Sequence, residues 1–368
     1  MSTQPLRVAI IGGVRFDSFE PHAGGLERHS DLLARALIRA GHSVTVFAGH
    51  GPSAGVAPYE HRPVTERVLR LSEEARRDVS MPPMEFMVEH DAYLRLESEV
   101  TGADFDVVHN NSLHYLPVLW RCDVPIVHTL HTPPTPWLES AHRIRRERSD
   151  RGHLAVSVSH ANGRAWGAIC DGTIHNGIEL DRWSRSPVDG TGVVGGMPSN
   201  PYAVWTGRFV PEKGPVHAIR AAKALGIPLM LAGPVHDPVY FDAVVRPELD
   251  CDRSYVGHLG VDDVALLVAG ASVTFVTPLW QEPFGLVVAE SAAAGTPIAA
   301  YDTGAMTELV HPTIGRLARP GDPHALASSA EAALRLDRAE VRRSAIDRFS
   351  DDRMAQRYTD LYRDLVAA

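Results

Sequence analysis

Arg7-Val8-Ala9-Ile10-Ile11-Gly12-Gly13 is a short apolar run that ends in two glycines, which is typical of a buried strand followed by a turn. A segment with apolar residues at helical spacing begins at Gly24-Gly25 and stops at Gly41, because glycine commonly ends a helix. The next apolar run, Ser43-Val44-Thr45-Val46-Phe47, has the composition of a second strand. The order strand, helix, strand predicts a βαβ unit, and therefore a parallel sheet with a ligand crevice at the carboxyl ends of its strands.

The same alternation continues along the chain and is interrupted once. Further strand-like runs in the first half, each followed by polar residues, lie at 107–108, 126–128 and 155–158. Residues 184–201 are rich in Ser, Gly and Pro and lack periodicity, as a linker does. Strand-like runs then resume at 202–205, 228–231, 273–276 and 298–300. The sequence thus predicts an α/β protein with two open sheets in series and a ligand cleft between them.

These patterns set the predicted domain boundaries. An N-terminal Rossmann-like domain is expected over residues 1–183, a linker over 184–201 and a C-terminal Rossmann-like domain over 202–350. In residues 351–368, an apolar stripe at helical spacing predicts a packed helix. A length of 368 residues agrees with two domains.

Composition argues against several classes of protein. The net charge of −9, from 36 basic and 45 acidic residues, argues against a nucleic-acid-binding protein. The three cysteines are isolated in sequence, so neither a disulfide framework nor a structural zinc site is expected. The N-terminus lacks the features of a signal peptide, and no apolar run approaches the ~20 residues that span a bilayer. We therefore expect a cytoplasmic protein without stable membrane insertion, although the basic run 142–148 leaves a peripheral membrane contact open.

A second stretch, Gln281-Glu282-Pro283-Phe284-Gly285-Leu286, carries chemistry. Pro283 suits the first turn of a helix, and Gly285 permits close approach of a ligand to the backbone. The N–H groups at and just after this glycine would then lie at a helix N-terminus, which attracts anions. Glu282 would precede the helix and Glu290 would lie about 12 Å further along it, so the pair suits the two ends of one long anionic ligand. A solvated helix surface is the alternative explanation for either carboxylate alone.

Two cations follow another strand-like run. In Thr206-Gly207-Arg208-Phe209-Val210-Pro211-Glu212-Lys213-Gly214, a turn carries Arg208 and Lys213. The Arg guanidinium offers a planar fork for phosphate oxygens, and the Lys ammonium offers a point charge. Taken alone, such a pair is most often two surface cations. Together with the helix N-terminus that attracts anions, it would neutralise a diphosphate.

The two motifs together resemble those of the retaining GT-B glycosyltransferases of family 4, also called glycosyl transferase group 1. Glu282 and Glu290 match the Glu-x7-Glu motif of that family, and residues 207–214 are similar to its Gly-Arg and Lys-Gly element. The resemblance covers most of residues 6–318 and is closest to the tetrahydrobiopterin glucosyltransferase-like branch, with His109-Asn110-Asn111-Ser112-Leu113-His114-Tyr115 among the matching residues. It implies two Rossmann-like domains that face a central cleft, the first binding an acceptor and the second a sugar nucleotide. It also implies that the last helix crosses back to the first domain.

The resemblance further implies roles for individual residues. Glu282 would bind hydroxyls of the donor sugar, with His131 assisting from the N-terminal domain, and Glu290 would bind the ribose. Arg208 and Lys213 would contact the diphosphate and stabilise its charge as it leaves. The expected catalytic residues are therefore Glu282, His131, Arg208 and Lys213. No metal is expected at the site. The remaining residues implied in donor binding, besides Glu290, are Gly25, Gly233, Val256, Phe284, Gly285 and Leu286.

We therefore expect a transferase that moves a hexose, with glucose as the first candidate, from a nucleoside diphosphate sugar to a hydroxyl group with retention of configuration. UDP is the expected nucleotide, whereas the oligomeric state and the acceptor (a small molecule, a glycan or a lipid) are left open. No cofactor is expected, and no carboxylate is assigned to a covalent double displacement. The alternatives are a sugar-nucleotide 2-epimerase, a phosphorylase-like enzyme with pyridoxal phosphate and a non-catalytic sugar-nucleotide binder.

Overall fold

The computed structural model describes residues 4–16, 18–20, 22, 24–51, 57–64, 72, 84–148, 152–184 and 201–368. The chain divides into two compact units. Unit 1 comprises residues 1–158, 163–174 and 355–368, and unit 2 comprises residues 159–162 and 175–354. Most of the predicted linker, residues 185–200, lies outside the described residues.

Within its described residues, unit 1 forms one parallel sheet. Its strands are β1 (Arg7–Ile11), β2 (Ser43–Ala48), β3 (Glu60–Pro63), β4 (Val107–Asn110), β5 (Ile126–Leu130), β6 (His153–Ser157) and β7 (Gly172–Thr173). Their spatial order is β3-β2-β1-β4-β5-β6-β7, and every neighbouring pair is parallel. The order reverses between β1 and β4, which is the kind of switch point where open α/β sheets bind ligands.

The helices of unit 1 connect these strands. Among the described residues, the α-helices that lie wholly in this unit are α1 (Gly25–Arg39), α2 (Met84–Thr101), α3 (Leu116–Leu119) and α4 (Pro136–Glu147). The central strands are almost wholly buried, as strands covered by helices on both faces must be, and β4 and β5 bury polar residues towards their carboxyl ends. Phe47, Tyr93 and Trp120 are the largest side chains of the core between the sheet and α2. The predicted βαβ unit is therefore present as β1, α1 and β2.

Unit 2 is built in the same way. Within its described residues, the strands are β8 (Ala203–Thr206), β9 (Leu229–Ala232), β10 (Arg253–Tyr255), β11 (Val273–Val276), β12 (Ile298–Tyr301) and β13 (Gly315–Ala318). Their order is β10-β9-β8-β11-β12-β13, and every neighbouring pair is parallel. This sheet also reverses its order once, between β8 and β11. Both units are thus Rossmann-like, and the predicted α/β fold class is confirmed.

The remaining helices follow in chain order. They are α5 (His160–Trp166), α6 (Leu180–Trp183), α7 (Pro215–Leu225), α8 (Pro238–Tyr240), α9 (Val261–Gly270), α10 (Leu286–Ala293), α11 (Met306–Leu309), α12 (Pro323–Ala333), α13 (Arg338–Phe349) and α14 (Asp351–Ala367). Helices α5 and α14 each begin in unit 2 and continue in unit 1. None of the described helices combines the length and the apolar character that crossing a bilayer requires.

Residues 175–183, which the sequence analysis assigned to the N-terminal domain, belong to unit 2. Ile178 forms a backbone bridge to Ser350, and its N–H donates to the carbonyl of Phe349 at 2.8 Å. Gly177 permits this contact, since a Cβ there would lie 2.3 Å from the Cα of Asp351. The segment is therefore held by backbone pairing that apolar periodicity does not reveal.

The part of α14 that belongs to unit 1 packs by aromatic residues. Tyr358 and Tyr362 are fully buried, and the Tyr362 hydroxyl hydrogen-bonds Nδ1 of His109. The hydroxyl of Thr359 lies 3.0 Å from Nε2 of His42. The buried hydroxyl groups of Tyr362 and Thr359 therefore both have hydrogen-bond partners, as buried polar groups usually do.

Unit 1 also buries an unusual number of imidazoles. His29, His109, His128 and His142 are each exposed by 1% or less. Burial lowers the pKa of His29 to about 4 and the pKa of His109 and His142 to about 3, and it lowers the pKa of His128 well below its usual range. The folded state therefore keeps these rings neutral at pH values at which the unfolded chain protonates them.

This difference predicts acid-sensitive stability. Above pH 6.5 both states are neutral at these positions, whereas below it the unfolded state binds protons that the folded state excludes, so stability falls towards the folded pKa values. Each such histidine removes about 1–2 kcal/mol of unfolding free energy at pH 5. Urea unfolding at pH 7.5 and pH 5.0 measures the loss. His142→Gln removes one titrating group, so this variant should lose less unfolding free energy between pH 7.5 and pH 5.0 than the wild type. A wild-type urea midpoint that is the same at both pH values would contradict the prediction.

Candidate active site

The loop between β11 and α10 contains the Glu282 motif. Gly285 lies immediately before α10 with φ 94°, a left-handed conformation that favours glycine. The helix therefore begins at Leu286, and the expectation that Pro283 occupies its first turn is wrong. The left-handed turn separates the proline from the helix, so the N–H groups at the helix start belong to Leu286 and the residues after it.

Glu282 lies between a cation and an indole. Its Oε2 accepts from the Lys213 ammonium at 2.5 Å and from the Trp280 indole N–H at 2.9 Å. The same ammonium lies 5.5 Å from the centroid of the Trp280 ring. The Glu282 side chain is 11% exposed and that of Lys213 is 24% exposed. The structure thus brings together two of the predicted site residues and adds Trp280, which the sequence analysis did not assign.

The turn that carries Lys213 is fixed to the end of β11. Gly214 has φ 63°, and a Cβ there would lie 2.3 Å from the carbonyl oxygen of Thr277. The Thr277 hydroxyl lies 2.8 Å and 2.9 Å from the carbonyl oxygens of Lys213 and Gly214, and it accepts from the Trp205 indole N–H at 2.9 Å. This contact between turn and strand end sets where the Lys213 side chain starts.

The backbone of Glu282 is held from the other side by the turn after β12. Gly304 has φ 58°, and a Cβ there would lie 2.4 Å from both the N and O atoms of Glu282. The N–H of Ala305 donates to the Glu282 carbonyl at 2.9 Å, and the N–H of Gly304 donates to the Gln281 side chain at 3.2 Å. Ala305 thus holds the Glu282 backbone through its own backbone N–H.

Glu290 lies in the second turn of α10 and is 4% exposed. A solvated helix surface therefore does not explain this carboxylate. Phe284 is also buried, and its ring lies 5.8 Å from that of His175 and 6.3 Å from that of Phe349. Its side chain thus belongs to the interior of unit 2, so a donor contact of this residue would come from its backbone.

Three further predicted residues follow neighbouring strands of unit 2. Arg208 follows β8, Gly233 follows β9 and Val256 follows β10, so all three lie at the carboxyl edge of the sheet. Gly233 has φ 142°, and a Cβ there would lie 1.9 Å from the carbonyl oxygen of Gly207, so the two strand ends touch through their backbones. Burial lowers the pKa of His236, which follows β9, and the positive charge of Arg208 lowers it further.

The other two predicted residues lie in unit 1. Gly25 is the first residue of α1, and His131 follows β5. Nε2 of His131 lies 2.8 Å from Oδ1 of Asn111, which follows β4, and its ring meets that of His29 edge-on at 4.8 Å. Burial, with a smaller contribution from His29, lowers the pKa of His131 well below its usual range, so the ring is neutral. The sequence assigned no role to Asn111, which follows β4, or to His29, which lies in α1.

Potential metal ligands cluster elsewhere. Among the described residues, two groups have ligand atoms within 4.8 Å of one another: Glu20 with His22 and Asp31, and the exposed run 250–252. Asp31 already accepts from Arg35 at 2.9 Å and from the Tyr59 hydroxyl at 2.7 Å. Neither group contains a predicted site residue.

Two families match consecutive parts of the chain. Glycosyltransferase Family 4 matches residues 23–182, and Glycosyl transferases group 1 matches residues 197–348. A glycogen synthase of Mycobacterium tuberculosis is 28% identical, covering 87% of this chain and 85% of the relative. A D-inositol 3-phosphate glycosyltransferase of Mycobacterium avium is 26% identical, covering 82% of this chain and 79% of the relative.

Solved structures share the fold. AviGT4, a glycosyltransferase involved in avilamycin A biosynthesis, superposes with a TM-score of 0.73 at 24% identity, covering 99% of this chain and 98% of that chain. Anabaena Alr3699/HepE in complex with UDP and glucose gives a TM-score of 0.72 at 17% identity, covering 98% of this chain and all of that chain. The predicted GT-B fold class is confirmed, whereas membership of the tetrahydrobiopterin glucosyltransferase-like branch stays a prediction.

The contact between Gly304 and Glu282 generates a stability prediction. Gly304→Ala would place a Cβ 2.4 Å from the Glu282 backbone, so we expect a loss of roughly 2–4 kcal/mol in unfolding free energy. Gly321→Ala is the matched control, because Gly321 also has a positive φ of 77° but has no atom within 4 Å of a built Cβ. Gly321→Ala should therefore lower the unfolding free energy by only about 1 kcal/mol. Urea unfolding of both variants provides the comparison, and equal losses would show that the clash does not matter.

Proposed function

We propose that this chain, a glycosyltransferase with a family 4 domain followed by a group 1 domain, moves a hexose from a UDP-sugar to a hydroxyl group with retention of configuration. The observation that carries the proposal is the convergence of Lys213, Glu282 and Trp280 beside the start of α10. Glucose is the first candidate for the sugar. The complex of Anabaena Alr3699/HepE with UDP and glucose supports this choice of donor by fold similarity alone.

The diphosphate of the donor would bind at the start of α10. The N–H groups of the first helical turn lack partners within the helix and carry a partial positive charge, so they favour an anion. Lys213 lies beside this position, and Arg208 follows the neighbouring strand β8. As the bond between the anomeric carbon and the diphosphate breaks, negative charge grows on the diphosphate, and these fixed cations would stabilise the transition state more than the ground state.

The two carboxylates would bind the two ends of the donor. Glu282 is oriented by Trp280 and Lys213, so one carboxylate oxygen is engaged with protein donors and the other would accept from hydroxyls of the sugar. Glu290, buried in α10, would accept from the ribose hydroxyls. Burial favours such a role, because a carboxylate out of water forms strong hydrogen bonds with the hydroxyls that reach it.

The chemistry would use the donor itself as the base. The acceptor oxygen would attack the anomeric carbon from the face that the diphosphate leaves, and the acceptor proton would pass to the departing diphosphate oxygen. This scheme needs no covalent intermediate and no metal ion. His131, a neutral imidazole that is held by Asn111, would contact the donor sugar, a role that rests on the resemblance to family 4.

Removal of the cation tests the site. Lys213→Ala should lower kcat/KM for UDP release from UDP-glucose by about 10²–10³-fold, because the charge that stabilises the leaving diphosphate is lost. Lys223→Ala is the control, since Lys223 lies in the same unit but pairs with Glu248 at the surface. The assay contains EDTA, because the proposed scheme needs no metal ion. Full activity of Lys213→Ala would remove this residue from the proposed mechanism.

Nucleotide binding tests the donor assignment separately. UDP should raise the melting temperature of the wild type, because a ligand that binds only the folded state stabilises it. Glu290→Gln should reduce this increment, whereas Glu331→Gln should not, since Glu331 lies in an exposed pair with Arg335. The quantity compared is the increment produced by UDP in each variant, so a change in intrinsic stability does not confuse it. An equal increment in the wild type and Glu290→Gln would exclude a ribose contact.

A further inference from the structure

Four side-chain rings of unit 1 form a stack, and none of them has a role in the proposed donor site. Tyr93 and His114 stack with ring centroids 4.7 Å apart, His114 and Tyr115 stack at 4.7 Å, and Tyr115 and Trp137 stack at 5.7 Å. The interplanar angles are 25°, 24° and 26°, so successive rings are close to parallel. Phe86 flanks the outer half, 6.5 Å from Tyr115 and 6.0 Å from Trp137. We call this set the ring stack.

The ring stack runs from the core to the surface. Tyr93 and His114 are buried, Tyr115 is half-buried, and Trp137 is 63% exposed. The Tyr93 hydroxyl donates to the carbonyl of Gly12 at 2.9 Å. Because each inner ring is fixed by its neighbours, the exposed indole offers a preorganised flat surface, and a ligand that stacks on it would lose little free energy in ordering the protein.

The position of the ring stack relates it to the sheet. His114 and Tyr115 follow β4, and Trp137 follows β5, so the stack lies at the carboxyl edge of two neighbouring strands. Asn111 and His131 lie at the same edge. Ligands of open α/β sheets bind at this edge, beside the point where the strand order reverses. A binding surface is therefore expected here on topology alone.

Polar groups surround the aromatic surface. Arg15 and Glu89 form an ion pair with a 2.9 Å N–O distance, and the Arg15 side chain is 63% exposed. Glu89 lies four residues before Tyr93 in α2, so the two share one face of that helix and the ion pair lies beside the ring stack. Nδ1 of His90 lies 2.9 Å from the Tyr115 hydroxyl. An apolar face with hydrogen-bonding groups at its margin matches a pyranose ring, which has an apolar C–H face and a polar edge of hydroxyls.

We propose that the ring stack is the acceptor subsite and that the acceptor is a saccharide whose ring lies on the indole of Trp137. The proposal rests on the proposed function, since it names the acceptor class of that transfer. The ion pair of Arg15 and Glu89 would bind hydroxyls at the edge of the sugar. A planar aromatic acceptor would stack on the same indole but would make little use of these charged groups.

Saturation-transfer NMR with phenyl α-glucoside tests the proposal, because this probe carries both a sugar ring and an aromatic ring. UDP is added in excess to occupy the donor site. We expect the sugar C–H protons to receive more saturation than the phenyl protons, and Trp137→Ala to weaken binding about tenfold, as loss of one stacking contact implies. Trp137→Phe should restore part of the affinity, since it keeps an aromatic face.

Leu94→Ala is the control variant, because Leu94 is 45% exposed and lies on the same helix, α2, as Tyr93 and Phe86. It should bind the probe as the wild type does. Stronger saturation of the phenyl protons, or equal binding by the wild type and Trp137→Ala, would overturn the proposal. The rise in melting temperature that UDP produces distinguishes failure of the proposed function from failure of the acceptor proposal. If UDP produces no rise in the wild type, the proposed function is contradicted. If UDP produces a rise but Trp137→Ala binds the probe as the wild type does, only the acceptor subsite at the ring stack is contradicted.

Discussion

Parallel pairing between neighbouring strands is the constraint on which both units depend. Because each strand of a parallel sheet ends at the same edge, residues that follow different strands meet there although they are distant in sequence. In unit 2, the turn after β8 reaches the loop after β11, so Lys213 contacts Glu282 across 69 positions. In unit 1, Asn111 after β4 reaches His131 after β5. The strand order thus determines which side chains can act together.

Absence of a side chain is as important at this edge as its presence. Gly214 and Gly304 each leave room for a backbone atom of the β11–α10 loop, at distances that no Cβ could occupy. The Glu282 carboxylate is therefore positioned by its indole and ammonium partners and by two glycines that hold the loop from opposite sides.

Local patterns in the sequence predicted both Rossmann-like units, because strand and helix periodicities and glycine punctuation are short-range signals. They did not predict the start of α10, where a left-handed Gly285 overrides the preference of Pro283 for a first helical turn. The contacts of Lys213 with Glu282 and of His131 with Asn111 join strands that are neighbours only in space, so no local signal encodes them. No local signal predicts the ring stack for the same reason, since Tyr93 lies in α2, Tyr115 in the loop after β4 and Trp137 in α4.

Unit 1 begins first in the sequence, but its final segment follows the end of unit 2. Unit 2 ends at residue 354, but unit 1 includes residues 355–368, whose Tyr358 and Tyr362 fill buried positions beside His109. During synthesis from the N-terminus, unit 1 lacks residues 355–368 until the whole of unit 2 has been made, so unit 2 has its complete sequence available first. A nascent chain would therefore leave the buried positions beside His109 unfilled until Tyr358 and Tyr362 have been made, and a truncation before Tyr358 would leave them unfilled permanently.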